Sequence, residues 1–305
     1  MDSKFKKPKS FGEILDHTFS LSKNRFKEFF MILIVFMGPV YLLQAIIQMA
    51  TGTSFFRDTG TGGQWYEQIL SNLDSSSGSF DSSSLGADIG LIVVGLVSFL
   101  LFPVAEAAIL FAIQHIKKEE EYTVSSVIKE AFLRFWPMLG SSILFGIMLL
   151  GIILIPILIV AFSGATLAAA VHPILGILVG ILLFIGFAVG VGLLITRWSF
   201  YFGSVVLDKL SPGFARSWRL SKKRTWVLFG LYIVFYLIVS IISFAVQLTF
   251  GALLGDSVLL GLISNLASLF TTMIFSVGYG VMYLDLKTRN DSEDLKELID
   301  DYQSI

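Results

Sequence analysis

The chain has 305 residues, of which 55% are hydrophobic and only 15% are charged. A soluble domain carries closer to a quarter charged residues, so this composition excludes an ordinary soluble protein. The chain contains no cysteine, which excludes disulfides, thiolate nucleophiles and cysteine-ligated zinc or iron–sulfur sites.

Six apolar segments exceed the roughly 18 residues that a bilayer core requires. In chain order they are 29–49, 89–113, 136–162, 174–196, 226–254 and 262–284. The sequence therefore predicts an all-α membrane protein with six transmembrane helices and a single integral membrane domain. We expect an amphipathic N-terminus at 1–28, a membrane region at 29–285 and an acidic tail at 286–305.

The basic residues are divided unevenly among the connections between these spans. Four connections together hold 21 Lys and Arg, and they are 1–28, 114–135, 197–225 and 285–305. The other three hold only Arg57, and they are 50–88, 163–173 and 255–261. Because Lys and Arg near span ends are retained on the cytoplasmic side, we expect both termini in the cytoplasm. The expected location is the bacterial cell membrane.

The connection 50–88 differs from the others in composition. Its second half, 74–86, is mostly serine, glycine and aspartate, which cannot bury a core, so we expect a flexible outer loop. Apolar residues at helical spacing between Trp65 and Leu73 precede it. They indicate either a short helix on the outer membrane face or an unstructured loop with an aromatic anchor.

A short amphipathic stretch with a helix-start signal precedes the first, third and fifth spans. Ser10 and Glu13 fit a capping box, Thr123 can cap the second stretch, and Ser211 before Pro212 can begin the third. The expected apolar sides are Phe11, Ile14, Leu15 and Phe19; Val124, Val127, Ile128, Ala131, Phe132 and Phe135; and Phe214, Ala215 and Trp218. Such helices with basic flanks lie among headgroups. The sequence thus predicts three repeated units, each a cytoplasmic interfacial helix followed by a transmembrane hairpin.

Glu106 is the most unusual ionisable residue because it lies inside the second span, about 16 Å of helix rise before Lys117. An ionisable group at this depth is a candidate functional site. The structural alternatives are a protonated, neutral Glu106 and an ion pair with Arg197 at the end of the fourth span. The other polar residues that could join a site around Glu106 are Gln44, Gln247 and Asn265.

Two clusters of basic residues are expected to contact anionic lipid headgroups at the membrane surface. They consist of Lys4, Lys6, Lys7 and Lys9, and of Arg216, Arg219, Lys222, Lys223 and Arg224. Topology alone accounts for positive charge at these positions, so no nucleic acid partner is expected.

The fourth span carries two Gly-x-x-x-Gly steps, formed by Gly176, Gly180, Gly186 and Gly190. Small residues at this spacing permit helices to approach closely. We therefore expect a helix packing surface within the chain, with a homodimer face as the alternative.

Three stretches form a recognisable set: FGEILDHTFSLSKNRFKEFF at 11–30, SPGFARSWRLSKKRTWVLFG at 211–230 and YGVMYLDLKTRNDSEDLKEL at 279–298. Together they resemble the glycerophosphoryl diester phosphodiesterase membrane-domain family. The resemblance implies a stand-alone bacterial member without the catalytic TIM barrel, which would need about 250 residues of its own. The barrel's His-Arg-Gly signature is also missing, because His17, His115 and His172 precede Thr, Ile and Pro. No phosphodiesterase activity is therefore expected.

These observations lead to three hypotheses about function. We prefer a non-catalytic membrane protein that organises or modulates a membrane partner or a lipid-related process, with a protein partner on the cytoplasmic face as one form of it. The second hypothesis is a transporter, or a translocator of lipid or peptide, with a polar site around Glu106. The third, an intramembrane enzyme, lacks an HExxH motif, paired aspartates or a Ser/His pair at span depth. No cofactor or metal is expected.

Overall fold

The computed structural model describes residues 5, 7–56, 85–170, 172–255 and 257–303, with side chains for all of them except 85–88 and 291–303. These residues form helices joined by turns, and none of them lies in a β-strand. The predictions for the outer loop between 57 and 84 lie outside the described residues. The same is true of Lys4 and Lys6.

Six helical segments are long and apolar enough to cross a membrane. They are Phe26–Ala50, Ile89–Lys118, Phe135–Ala170, Pro173–Val206, Thr225–Leu254 and Val258–Asn290. Each apolar segment read from the sequence falls within one of them. The prediction of an all-α protein with six candidate membrane spans is confirmed.

In chain order the helices are α1 Phe11–Asn24, α2 Phe26–Ala50, α3 Leu85–Lys118, α4 Val124–Phe132, α5 Phe135–Ala170, α6 Pro173–Trp198, α7 Tyr201–Val206, α8 Phe214–Ser221, α9 Thr225–Val246, α10 Ala252–Leu254 and α11 Val258–Gln303. A π-helical turn at Gln247–Gly251 joins α9 to α10. Pro39, Pro103 and Pro156 each lie inside a continuous helix, as membrane helices tolerate.

The short helices α1 and α4 begin where the sequence predicts. Glu13 accepts a hydrogen bond of 2.6 Å from the backbone N–H of Ser10, and Thr123 accepts one of 3.2 Å from the backbone N–H of Ser126. These bonds fix the first turns, where backbone N–H groups have no partner inside the helix.

The start of α8 differs from the prediction. Gly213, rather than Ser211, flanks the helix, and its φ of 79° is a left-handed conformation that favours glycine. A Cβ at this position would lie 2.7 Å from the carbonyl oxygen of Tyr201. The Ser211 hydroxyl lies 3.2 Å from that of Ser141 on α5. Ser211 therefore attaches the loop to α5 instead of capping α8.

The buried side of α8 also differs from the predicted apolar side. It consists of Ser217, Leu220 and Ser221, whereas Ala215 is exposed. The hydroxyls of Ser217 and Ser221 donate to the carbonyl oxygen of Arg197 at 2.7 and 3.2 Å. This carbonyl is in the last turn of α6, where no backbone N–H of the same helix is available, so two serines satisfy it.

Burial is concentrated in two helices. Every residue of α11 from 276 to 286 is buried, and so are nearly all of those from 104 to 113 on α3. Gly280 lets the two approach, because a Cβ there would lie 2.6 Å from the Ile113 side chain. By contrast, none of the 18 most apolar consecutive residues of α5 is buried. In the corresponding stretch of Pro173–Val206 only 6% of the residues are buried. The α5–α6 hairpin therefore stands at the edge of the helical bundle.

The two ends of the bundle differ in polarity. At one end, which we call the basic end, Lys9, Arg224 and Arg289 contact Asp285. Uncharged polar side chains line the opposite end, among them Gln48, Thr51, Gln247 and Ser257. The described part of the chain thus carries its ion pairs at the end where the Lys- and Arg-rich connections meet.

Candidate functional site

A cavity of about 680 Å³ lies between the α5–α6 hairpin and the rest of the bundle. Its walls come from α3, α5, α6, α9 and α11, and most of its lining is apolar or aromatic. The aromatic residues include Phe99, Phe102, Phe145, Phe229, Tyr232 and Phe275. A volume of this size falls within the range of about 300–1,000 Å³ that is typical of small-molecule sites.

Glu106 contributes a carboxyl group to the wall of this cavity. It interrupts the fully buried run on α3, since its neighbours Ala105 and Ala107 are inaccessible while Glu106 is only partly buried. Among the residues that the structure describes, Glu106 has no hydrogen-bond or ion-pair partner. Polar groups removed from water almost always have such a partner in the protein or in a bound molecule.

Three of the four tyrosines that line the cavity have hydroxyls already bonded to the protein. Tyr201 donates to the hydroxyl of Ser142 at 3.1 Å, and the hydroxyl of Tyr232 lies 2.9 Å from that of Ser199. Tyr279 accepts from the backbone N–H of Gly203 at 2.9 Å and donates to the carbonyl oxygen of Ser199 at 3.1 Å. The groups that offer unused hydrogen-bonding capacity to this cavity are therefore the carboxyl group of Glu106 and the hydroxyl of Tyr236, which has no partner among the described residues.

The buried helix α7 fixes the floor of the cavity. Phe200, just before α7, stacks on Tyr279 with 5.4 Å between ring centres. Gly203 lies against Tyr283, so closely that a Cβ would be 2.5 Å from the ring. These contacts pack α7 against α11 and place Tyr201 in the cavity wall.

Arg197 does not form an ion pair with Glu106, which was one structural explanation for a carboxyl group inside the second span. Its Nε donates to the hydroxyl of Thr225 at 3.1 Å. Its guanidinium carbon lies 4.5 Å from the ring centre of Trp218. The side chain therefore turns toward α8 and α9, and it lines a separate cavity at the basic end.

The other three polar residues also lie apart from Glu106. Asn265 on α11 donates to the amide oxygen of Gln44 on α2 at 3.3 Å. Gln247 lies in the π-helical turn and lines a polar cavity of about 630 Å³ at the opposite end. Of the five residues grouped from the sequence, Gln44 and Asn265 therefore come together, whereas Glu106, Arg197 and Gln247 line three different cavities. The span that carries a polar residue does not reveal the direction in which its side chain points.

Two aspartates that the sequence reading did not single out organise the basic end. Asp285 accepts hydrogen bonds from the backbone N–H of Lys9 at 2.7 Å, from Arg224 at 3.3 Å and from Arg289 at 2.9 Å. Desolvation and the nearby Arg289 lower the pKa of Arg224, and Asp285 opposes this effect. The spacing of Asp285 and Arg289, an i,i+4 pair on a helix, was a signal in the sequence.

Asp208 forms the second cluster. It accepts hydrogen bonds from Arg216 at 3.3 Å, Tyr283 at 2.9 Å and Lys287 at 2.5 Å. Only 8% of its side chain is exposed, so the paired cations offset much of the cost of burying the carboxylate.

The predicted headgroup-binding residues therefore divide into two sets. Arg216 and Arg224 are held in internal ion pairs, and Lys9 is buried with its Nζ 4.7 Å from the ring centre of Phe5. Of the predicted headgroup-binding residues that the structure describes, the exposed ones are Lys7, Arg219, Lys222 and Lys223.

Of the four α6 glycines that were predicted to form a packing surface, Gly176 makes a close helix contact. A Cβ there would lie 2.5 Å from the carbonyl oxygen of Gly164 on α5. At Gly180, Gly186 and Gly190 a Cβ would meet no atom within 4 Å in the described structure. The close approach of α5 and α6 is thus localised near the turn of the hairpin, and the rest of the glycine face points away from neighbouring helices.

Comparison with known proteins identifies no relative, since no family model, curated protein or solved structure matches the chain. The six candidate spans indicate a multi-pass membrane protein. The resemblance to the phosphodiesterase membrane domain stays a prediction.

Proposed function

We propose that this chain is a non-catalytic multi-pass membrane protein that binds a lipid-like molecule in the cavity beside Glu106. The observation that carries the proposal is the carboxyl group of Glu106, which faces an apolar cavity without a partner among the described residues. Apolar walls suit a hydrocarbon chain, and a carboxyl group suits an amine or hydroxyl on the ligand. Such binding is the step that a translocator would require.

Access to the cavity from the bilayer supports a lipid-like ligand. Phe99 and Tyr236 both line the cavity, yet 45% and 70% of their surfaces are exposed. In a membrane these exposed aromatic surfaces would face lipid. A ligand dissolved in the bilayer could therefore enter sideways, between the α5–α6 hairpin and the bundle.

The proposal includes the orientation with both termini in the cytoplasm of a bacterial cell, and three repeated units. The uneven distribution of Lys and Arg supports the orientation, and the ion pairs at the basic end agree with it. The helices α1, α4 and α8 each precede a pair of spans, which supports the repeated units.

Cysteine labelling tests the orientation directly, because the chain has no native cysteine. Ser54→Cys is placed at the end with uncharged polar residues and Glu121→Cys near the basic end, and both positions are exposed. In intact cells a membrane-impermeant maleimide should label only Ser54→Cys. Labelling of Glu121→Cys alone would overturn the orientation.

Photocrosslinking tests the binding site. The probe is a phosphatidylethanolamine with a diazirine in one acyl chain, incorporated with the full chain into nanodiscs. We expect crosslinks to cavity residues on α3 and α9, reduced in Glu106→Gln and unchanged in Gln247→Leu, which lies at the opposite end. Crosslinks spread evenly over all lipid-facing helices would reject the site, and full labelling of Glu106→Gln would remove Glu106 from it.

A flux assay separates binding from translocation. Vesicles containing the protein and fluorescent phosphatidylethanolamine are treated with an impermeant quencher. The quencher reaches only the outer leaflet, so the rate at which the remaining fluorescence falls measures how fast lipid moves out of the inner leaflet. If the protein is a translocator, this fluorescence falls faster than in protein-free vesicles, and it falls more slowly with Glu106→Gln than with wild type. Crosslinking to the cavity without acceleration would identify a binding protein.

A second candidate function is the organisation of a protein partner, and the α5–α6 hairpin favours it. The hairpin leaves almost all of its apolar surface unburied, including the face that carries Gly180, Gly186 and Gly190. Affinity purification after crosslinking in membranes should recover a reproducible partner that Gly186→Leu loses. Recovery of no reproducible protein would count against this candidate.

A further inference from the structure

A second cavity, of about 330 Å³, lies at the basic end where α6 ends and α9 begins. One side of it is cationic and is formed by Arg197, Lys222 and Lys223. The other side is apolar and is formed by Leu193, Leu194 and Val227. Because α6 ends at Trp198 and the candidate span Thr225–Leu254 begins beside it, the cavity lies at the boundary between apolar and polar surroundings.

Arg197 is held in position to bind an anion. Thr225 receives a hydrogen bond from its Nε, and Trp218 stacks against its guanidinium group. These contacts leave the two terminal amino groups without a hydrogen-bond partner among the described residues. A planar guanidinium fixed in this manner suits the oxygens of a phosphate, which it can bind through two parallel hydrogen bonds.

Lys222 adds a second positive charge to the same wall. It is exposed, and it forms no ion pair with any residue for which the structure gives side chains. Arg216 and Arg224, its neighbours in sequence, are held by Asp208 and Asp285. Arg224 also lines the cavity but is already paired, so Arg197 and Lys222 are the cavity cations for which the described residues provide no carboxylate partner.

We propose that this cavity binds the phosphate headgroup of an anionic glycerophospholipid, with one acyl chain lying along the apolar side. Arg197 and Lys222 contact the phosphate, and Leu193 and Leu194 contact the chain. Trp226, which is 67% exposed at the beginning of α9, lines the same cavity and is of the type enriched at membrane interfaces. This site is separate from the cavity beside Glu106 and does not depend on its function.

Native mass spectrometry of the purified chain with defined lipids tests the cationic side of the cavity. Wild type should retain phosphatidylglycerol in preference to phosphatidylcholine. Lys222→Gln should weaken phosphatidylglycerol binding about fivefold, the effect of one basic residue near an anionic surface. Arg219→Gln is the matched control, because Arg219 is exposed in the last turn of α8, just before Lys222, but does not line the cavity. Equal weakening by both variants, or by neither, would overturn the proposal.

A pair of glycine variants tests the apolar side. Gly190 lines the cavity and Gly186 does not, and a Cβ at either would meet no atom within 4 Å. Gly190→Leu should displace phosphatidylglycerol, whereas Gly186→Leu should bind it as wild type does. Retention of phosphatidylglycerol by Gly190→Leu would overturn the acyl-chain assignment.

Inorganic phosphate distinguishes a lipid headgroup from free phosphate. Millimolar phosphate should not displace phosphatidylglycerol from wild type, because it lacks the apolar contacts. Complete displacement would show that the cavity takes free phosphate and would overturn the lipid assignment.

Discussion

The side chain of Asp285 accepts a hydrogen bond of 2.7 Å from the backbone N–H of Lys9, which lies 276 positions earlier in the chain. The carbonyl oxygen of Lys9 accepts hydrogen bonds from Arg224 at 3.0 Å and Arg289 at 2.6 Å. Both backbone polar groups of Lys9 are thus held by side chains from α11 and from the residue that precedes α9. These contacts join two of the three stretches that carry the family resemblance to Lys9, which lies two residues before the first stretch.

The first prediction concerns this cluster. Asp285→Asn should lower the free energy of unfolding by about 3 kcal/mol, because it removes a buried carboxylate and leaves two half-buried guanidinium groups without their ion-pair partner. The measurement is thermal unfolding in detergent, followed by tryptophan fluorescence. Asp16→Asn, on the exposed side of α1, is the control and should unfold as wild type does. Equal unfolding temperatures for both variants would show that the cluster contributes nothing to stability.

The second prediction concerns the contact between α7 and α11. Gly203→Ala should destabilise the protein by roughly 1–3 kcal/mol, because the added Cβ would lie 2.5 Å from the ring of Tyr283. Gly180→Ala adds the same methyl group where no atom lies within 4 Å and should be neutral or slightly stabilising. The unfolding temperatures of the two variants provide the measurement. Matching losses would indicate a general effect of helix glycines instead of this contact.

The third prediction concerns the cavity beside Glu106. Gly146 lines it and has open space at its Cβ position, so Gly146→Phe should fill part of the cavity without displacing other atoms. Labelling by the diazirine phosphatidylethanolamine should fall severalfold, since a ring occupies the space of the acyl chain. Gly151→Phe, on the same helix with open space but outside the cavity, should label normally. Undiminished labelling of Gly146→Phe would place the lipid elsewhere.

The fourth prediction concerns pH and the beginning of α1. Hydrogen bonds from the backbone and side chain of Ser10 lower the pKa of Glu13 below its usual 4.5. The ionised carboxylate therefore stabilises the fold fully above pH 4.5, and this stabilisation is lost as the pH falls through the lowered pKa. The difference in unfolding temperature between wild type and Glu13→Gln should be constant near neutral pH and shrink on acidification. A difference that grows in acid would contradict the capping role.

Membrane class, span number and the beginnings of α1 and α4 could be predicted because they depend on local properties. The length of an apolar segment identifies a span whatever other helices surround it. The capping pairs Ser10–Glu13 and Thr123–Ser126 form their hydrogen bonds within a single helical turn. Glu106 was also recognisable, since a carboxyl group inside an apolar segment is unusual in any arrangement of the helices.

The partners of these residues depended on how the helices pack. Asp208 and Asp285 gain their roles from cations on other elements, and Arg197 turns toward Trp218 and Thr225 instead of Glu106. The sequence by itself determined six spans and the side of the bundle that carries the Lys and Arg residues. Tertiary structure decided which charges are paired, because contacts between distant residues depend on how each helix is rotated and packed. These spans are apolar on nearly all sides, so their sequence pattern does not show which face of a helix meets its neighbours.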